Sequence, residues 1–168
     1  MNMNLVDLMF VASVWALPLL VAITFHEAAH AFVALRLGDK TAYLLGRVNF
    51  NPLCHIDFFG TVILPALLLL ASGGGIMFGY AKPVPVNFSH FKRPRQDMML
   101  VAIAGPGVNV ALALISAVLL HTIPYMSGDF AKWVGLNLGN SIFINLIFAV
   151  FNMLPILPLD GGRIAVGF

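Results

Sequence analysis

Residues 22–36 read AITFHEAAHAFVALR, an apolar run into which His26, Glu27 and His30 are set. In a helix, positions i and i+4 share a face, so the two imidazoles converge on one point and Glu27 lies beside it. Two histidines at this spacing around a glutamate form the HExxH pattern: two zinc ligands and a carboxylate that accepts a proton from water. Histidines on an ordinary amphipathic helix would occupy its polar face. Here residues 17–25 and 31–35 are apolar on every side, and Glu27 is the only glutamate in the chain. Ionisable groups inside a hydrophobic span are costly, and a cluster of them marks a functional site.

The surrounding composition gives the solvent. Of 168 residues, 60% are hydrophobic and 10% charged, with a mean hydropathy of +0.94. That is the balance of an integral membrane protein, whose first partner is the lipid bilayer. The formal net charge is only +2 and the basic residues are few and confined to loops, so nothing supports nucleic-acid binding. The single cysteine, Cys54, excludes an intramolecular disulfide and a thiolate zinc site, and no base accompanies it for thiol catalysis. No positively charged segment precedes the first apolar run, so no cleaved signal peptide is expected; its removal would take the histidine motif with it.

In chain order, residues 8–35 predict one long transmembrane helix with Pro18 placed to kink it. Residues 36–58 are more polar. Residues 61–71 are apolar but fall short of the ~20 needed to cross, contain Pro65 and end in Gly73-Gly74-Gly75, the pattern of a re-entrant element. Residues 79–97 form a proline-rich connector, in which KPVPVNF reads equally as an extended edge strand or a rigid linker. A second span is expected at 98–121 and a third at 136–154, broken by Pro155 and Pro158 just before LDGGR. No repeat divides the chain. It reads as a single membrane-embedded domain, residues 1–168, all-α, with three core transmembrane helices, a re-entrant element and short extended segments.

A tetrahedral catalytic zinc needs a third protein ligand and one open position. Of the six aspartates, only Asp160 sits directly against a transmembrane run. It can share a metal with the histidines if 61–78 re-enters, because the C-terminal ends of the first and third spans then lie on one side. Charge agrees. With a re-entrant 61–78, Arg36, Lys40, Arg47, Lys82, Lys92, Arg93, Arg95 and Arg163 share one face and only Lys132 the other, which puts the metal nearer the cytoplasm.

HEAAH (26–30), AGPGVN (104–109) and FNMLPILPLDGG (151–162) together resemble the site-2 protease family of intramembrane zinc metallopeptidases. NPLCHIDFFGT (51–61) and FGYAKPVPVN (78–87) are similar to connectors of its small bacterial branch, which has no PDZ domain. The resemblance implies one zinc per chain held by His26, His30 and Asp160, with Glu27 as general base. It also implies that Asn152 helps to hold the substrate or its developing oxyanion. Substrates would be transmembrane proteins, and the location a bacterial inner membrane. Members of this branch continue into further hydrophobic helices, so a chain ending at Phe168 reads as shortened at its C-terminus. Oligomeric state has no signature in the sequence.

Zinc and Glu27 would hydrolyse a peptide bond held in extended form, and KPVPVNF or residues 44–50 would offer an edge for it. Two other readings compete: a catalytically inactive family member that binds transmembrane segments, and a membrane metal transporter. The first usually lacks a ligand or the glutamate, and the second usually repeats its liganding helices. Around the motif, His55 and Asp57 are expected to anchor the re-entrant turn. Gly105 and Gly107 are expected to permit close helix packing, and Asn109 and Asn145 to hydrogen-bond between helices. His90 and His121 read as interfacial.

Overall fold

The structure, a computed structural model, describes residues 5–73, 75 and 78–167. α1 (Leu5–Arg36) is one unbroken helix of 32 residues. Pro18 sits inside it, and a proline there leaves the carbonyl of Val14 without its helical donor. Asn140 supplies one from a neighbouring helix, its Nδ2 donating to Val14 O at 2.8 Å. The helix therefore tolerates a breaker in a setting where water is absent.

Gly38, at φ 110°, turns the chain out of α1, and the short α2 (Thr41–Leu44) packs back against it. Asp57 then starts the re-entrant element, accepting from Gly60 N at 2.7 Å. A π-helical turn at Phe58–Ile63 leads into α3 (Leu64–Ala71), of six and eight residues respectively. Together they rise about 20 Å, well short of a hydrocarbon core of about 30 Å. The chain comes back to where it left: Tyr80 N donates to Gly60 O at 3.0 Å, Thr61 Oγ1 to Tyr80 O at 2.8 Å, and Lys82 N to His55 O at 3.0 Å. The element enters and returns at one level.

The returning segment is extended, but no strand forms among the described residues. The N–H groups of Tyr80, Lys82 and Val84 are all consumed by the protein, on Gly60 O, His55 O and Glu27 Oε2. Successive residues of an extended chain face opposite edges, which leaves 81, 83 and 85 on the outer edge. Two of those are prolines without an N–H. As an edge strand KPVPVNF is thus poor in donors, and within this chain it acts as a strap. Residues 44–50 form a turn instead of a strand, closed by Arg47 N to Ala42 O at 2.9 Å.

α4 (Pro94–Leu120) and α5 (Gly128–Asn152) complete the bundle with α1. Both begin earlier than their apolar runs, because the polar turns PRQD and GDFAKW are already helical. α1, α4 with its short 3₁₀ extension to Tyr125, and α5 are each long and apolar enough to cross a membrane. Lipid cannot drive these helices together hydrophobically, so close packing and polar contacts hold them. Ala22, Ala28, Ala31, Ala34, Ala102, Gly105 and Ala113 are buried small residues that let the backbones approach. Asn109–Asn145 (2.7 Å) and Ser116–Ser141 (2.8 Å) tie α4 to α5; such bonds contribute about 0.6 kcal/mol each on average. After a turn at 153–159, α6 (Asp160–Gly167) packs on α4.

Candidate metal centre

His26 and His30 project from α1 one turn apart, their ring centroids 4.6 Å apart and nearly perpendicular. Each ring is steered by its far nitrogen. His26 Nδ1 is 2.6 Å from Asn109 Oδ1, and His30 Nδ1 is 2.7 Å from the carbonyl of Val101. The Asn109 amide donates through Nδ2 to Asn145 Oδ1 and to Ala22 O, so its oxygen is the end that faces His26. Both Nδ1 atoms therefore meet acceptors and donate to them, so each imidazole in its neutral form presents the Nε2 lone pair to the cluster.

Those lone pairs point at one another and at Asp160. Nε2 to Nε2 is 3.1 Å, and Asp160 Oδ2 lies 3.3 Å from His26 Nε2 and 3.2 Å from His30 Nε2. All three side chains are buried, and their potential ligand atoms lie within 4.8 Å of one another. Asp160 Oδ2 has no hydrogen-bond donor. With both imidazoles neutral, three acceptors converge here and repel one another unless a cation lies among them. Two neutral imidazoles and a carboxylate are a donor set that suits zinc with one position left open.

The backbone around the cluster is built for close approach. A Cβ on Gly105 of α4 would fall 2.6 Å from His26 Cε1 and 2.7 Å from its Nε2, and would also strike His30. Gly107 meets nothing within 4 Å, so of the two glycines only Gly105 packs against the site. At the other wall, a Cβ on Gly162 would meet the backbone of Ile156 at 2.6 Å, and one on Gly161 would strike that of Met153 and Leu154. The glycines after Asp160 thus let α6 start tight under the preceding turn.

Glu27 lies where two small clefts meet. One, about 150 Å³, is largely apolar and includes Ile23, Phe78, Phe148, Phe151 and Asn152. The other, about 110 Å³, holds His26, His30, Asp160 and Asn152, roofed by Pro83 and Val84. Asn152, the last residue of α5, lines both, with Nδ2 donating to Phe148 O at 3.0 Å. The glutamate accepts from Val84 N at 2.8 Å through Oε2.

The strap is secured by a second buried carboxylate that sequence reading did not single out. Asp39 accepts from Thr41 N (3.0 Å), Thr41 Oγ1 (2.5 Å), Asn87 N (2.8 Å) and His90 Nδ1 (2.8 Å). Burial pushes its carboxyl up, but these donors outweigh that and bring it down to about 2. His90, expected at an interface, is thereby an anchor. His55 and Asp57 do hold the re-entrant turn, His55 Nε2 bonding Asn49 O at 2.9 Å. The roles of Asp39 and of the Val84 amide left no motif; the only signal was a lone aspartate just after a helix-ending glycine.

The sequence profile of peptidase family M50 matches residues 14–136. The chain belongs to that family. It is 45% identical over 153 residues to the "Putative zinc metalloprotease YwhC" of Bacillus subtilis, covering 88% of this chain and 65% of that one. It is 35% identical over 144 residues to the "Putative zinc metalloprotease Rip2" of Mycobacterium tuberculosis, covering 84% and 52%. A "Zinc metalloprotease MJ0392" of Methanocaldococcus jannaschii is 24% identical over 146 residues, covering 87% and 31%. The chain thus spans less than two thirds of the length of these relatives. No solved structure matches.

Proposed function

We propose that this M50 protein is an intramembrane zinc metalloprotease that hydrolyses peptide bonds in or near transmembrane segments of membrane proteins. The observation that carries the reading is the convergence of His26 Nε2, His30 Nε2 and Asp160 Oδ2 beside Glu27. His26, His30 and Asp160 would hold one zinc per chain. When bound, zinc would supply a Lewis acid that acidifies water and polarises the scissile carbonyl.

The protein's own groups then do the proton work. Glu27 takes a proton from water as the oxygen adds to the carbonyl carbon, and delivers it to the amine as the C–N bond breaks. The N–H of the Asn152 amide is available to the oxyanion that forms on the carbonyl oxygen. The apolar cleft of Ile23, Phe78, Phe148 and Phe151 would take a hydrophobic substrate side chain, as membrane segments supply. Asn109 and the Val101 carbonyl fix the two imidazoles, so the ligands need no rearrangement. The basic residues of the loops support a site towards the cytoplasmic side of a bacterial inner membrane.

The test is cleavage of a model transmembrane substrate in liposomes, with metal analysis. Wild type should carry about one zinc and cleave. Glu27→Gln should keep the zinc and lose cleavage, while His26→Ala and Asp160→Ala should lose both. Zinc at full occupancy in both ligand variants would remove this site. Wild type that binds zinc and the substrate without cutting would favour an inactive binding protein.

A further inference from the structure

We infer that the backbone amide of Val84 is a positioning group for Glu27, with Pro83 and Pro85 fixing its aim; this rests on the reading of Glu27 as general base. Val84 N donates to Glu27 Oε2 at 2.8 Å. A carboxylate on a flexible side chain has two equivalent oxygens and several rotamers. One fixed N–H removes that freedom: it commits Oε2 and leaves Oε1 to meet water in the cleft.

The sequence around Val84 is suited to holding that donor still. Proline fixes its own φ near −65° and confines the residue before it to extended conformations. In KPVPV, Lys82 precedes Pro83 and Val84 precedes Pro85, so the run is stiff before it touches α1. Across 83–85 only Val84 carries an N–H, so no neighbouring amide competes for the carboxylate.

Both sides of the amide are anchored. Lys82 O accepts from Arg47 Nη2 at 2.5 Å, and Lys82 N is held by His55 O at 3.0 Å. The Val84 side chain is buried against Ala31 and Ala42, and Ala31 is on the same face of α1 as Glu27, one turn on. Farther along, Asp39 holds the amide of Asn87. The strap therefore fixes one hydrogen atom against the catalytic carboxylate from a segment that shares no helix with it.

The experiment removes that hydrogen. Replacing Val84 by its α-hydroxy acid turns the amide into an ester and keeps the side chain; Val84→Pro removes the same N–H by ordinary mutagenesis. Zinc content reports folding, and kcat and KM are read on a transmembrane substrate. The expected result for the ester is full zinc, unchanged KM and kcat lowered about 10- to 100-fold, the cost of losing an outer partner of a catalytic group. Unchanged kcat in a zinc-loaded ester variant would overturn the inference, as would a rise in KM alone. Glu27→Gln separates the two readings. Activity in that variant would defeat the general-base reading itself, whereas an inactive Glu27→Gln beside a fully active ester would defeat only the role of the amide.

Discussion

The amide of Tyr80 donates to the carbonyl of Gly60 at 3.0 Å, closing the two ends of the re-entrant element on each other. That bond sets the topology. Because the chain returns to the level it left, the loop after α1 and the strap before α4 are expected on one side of the bilayer. α1 and α5 then end on that side too, which lets α6 present Asp160 to the histidines. Single cysteines at Lys40 and Lys92, in a Cys54→Ser background, should react with an impermeant reagent from the same side, the cytoplasm. Labelling from opposite sides would require residues 58–78 to cross fully and would break the shared-metal geometry.

Gly105 offers a steric test of the centre. Gly105→Ala puts a methyl 2.6–2.7 Å from His26 ring atoms and against His30, so the imidazoles must move. Zinc affinity should fall about 10- to 100-fold, as when ligand orientation is lost. Gly107→Ala, with nothing within 4 Å, is the matched control and should be nearly silent. Equal effects of the two would mean that α4 helix geometry, and not contact with the ligands, is what the glycines serve.

How much of this was legible in the sequence depends on range. His26, Glu27 and His30 were legible because their relation is local: a helix alone puts them together. Asp160 needed a topology, and the topology came from charge counts and the shortness of 61–71. The Val84 amide could not be read, because a backbone donor has no letter of its own. The Asp39–His90 pair was hidden because two polar loop residues far apart in sequence look like ordinary solvated groups. The double reading of KPVPVNF, edge strand or rigid linker, took its extended shape correctly, and among the described residues no strand forms. It did not foresee that the inward N–H groups would be spent on the protein itself.

Asp39 gives a pH dependence with a definite sign. Its folded value, about 2, lies below the ordinary 3.8, so folding favours the ionised form. The stabilisation is complete above about pH 4 and is lost as pH falls from there towards 2. Asp39→Ala strands buried donors from Thr41 and Asn87 and should cost about 1–3 kcal/mol at neutral pH. In detergent, wild type should melt above Asp39→Ala at pH 6, and the gap should close as pH is taken from 4 towards 2. A gap that persists at pH 2, or is missing at pH 6, would contradict the clamp.

Asn152 has a role that kinetics can separate from packing. Its Nδ2 donates to Phe148 O at 3.0 Å, the back-bond of a helix-terminal amide, and one N–H hydrogen remains for another acceptor. The same residue lines both clefts that meet at Glu27. α5 ends there, and the turn at 153–159 leads to Asp160 at the start of α6. Asn152→Ala keeps the helix and all three proposed ligands, so zinc content and melting temperature should stay near wild type. The rate of cleavage should fall about 10- to 1000-fold, the scale of losing one hydrogen-bond donor to a developing oxyanion. Asn152→Asp is the sharper case, since it puts an acceptor where a donor is needed and should be slower still. Full activity in Asn152→Ala would reduce the residue to a helix-end amide, and loss of zinc would assign it to the support of the ligands instead.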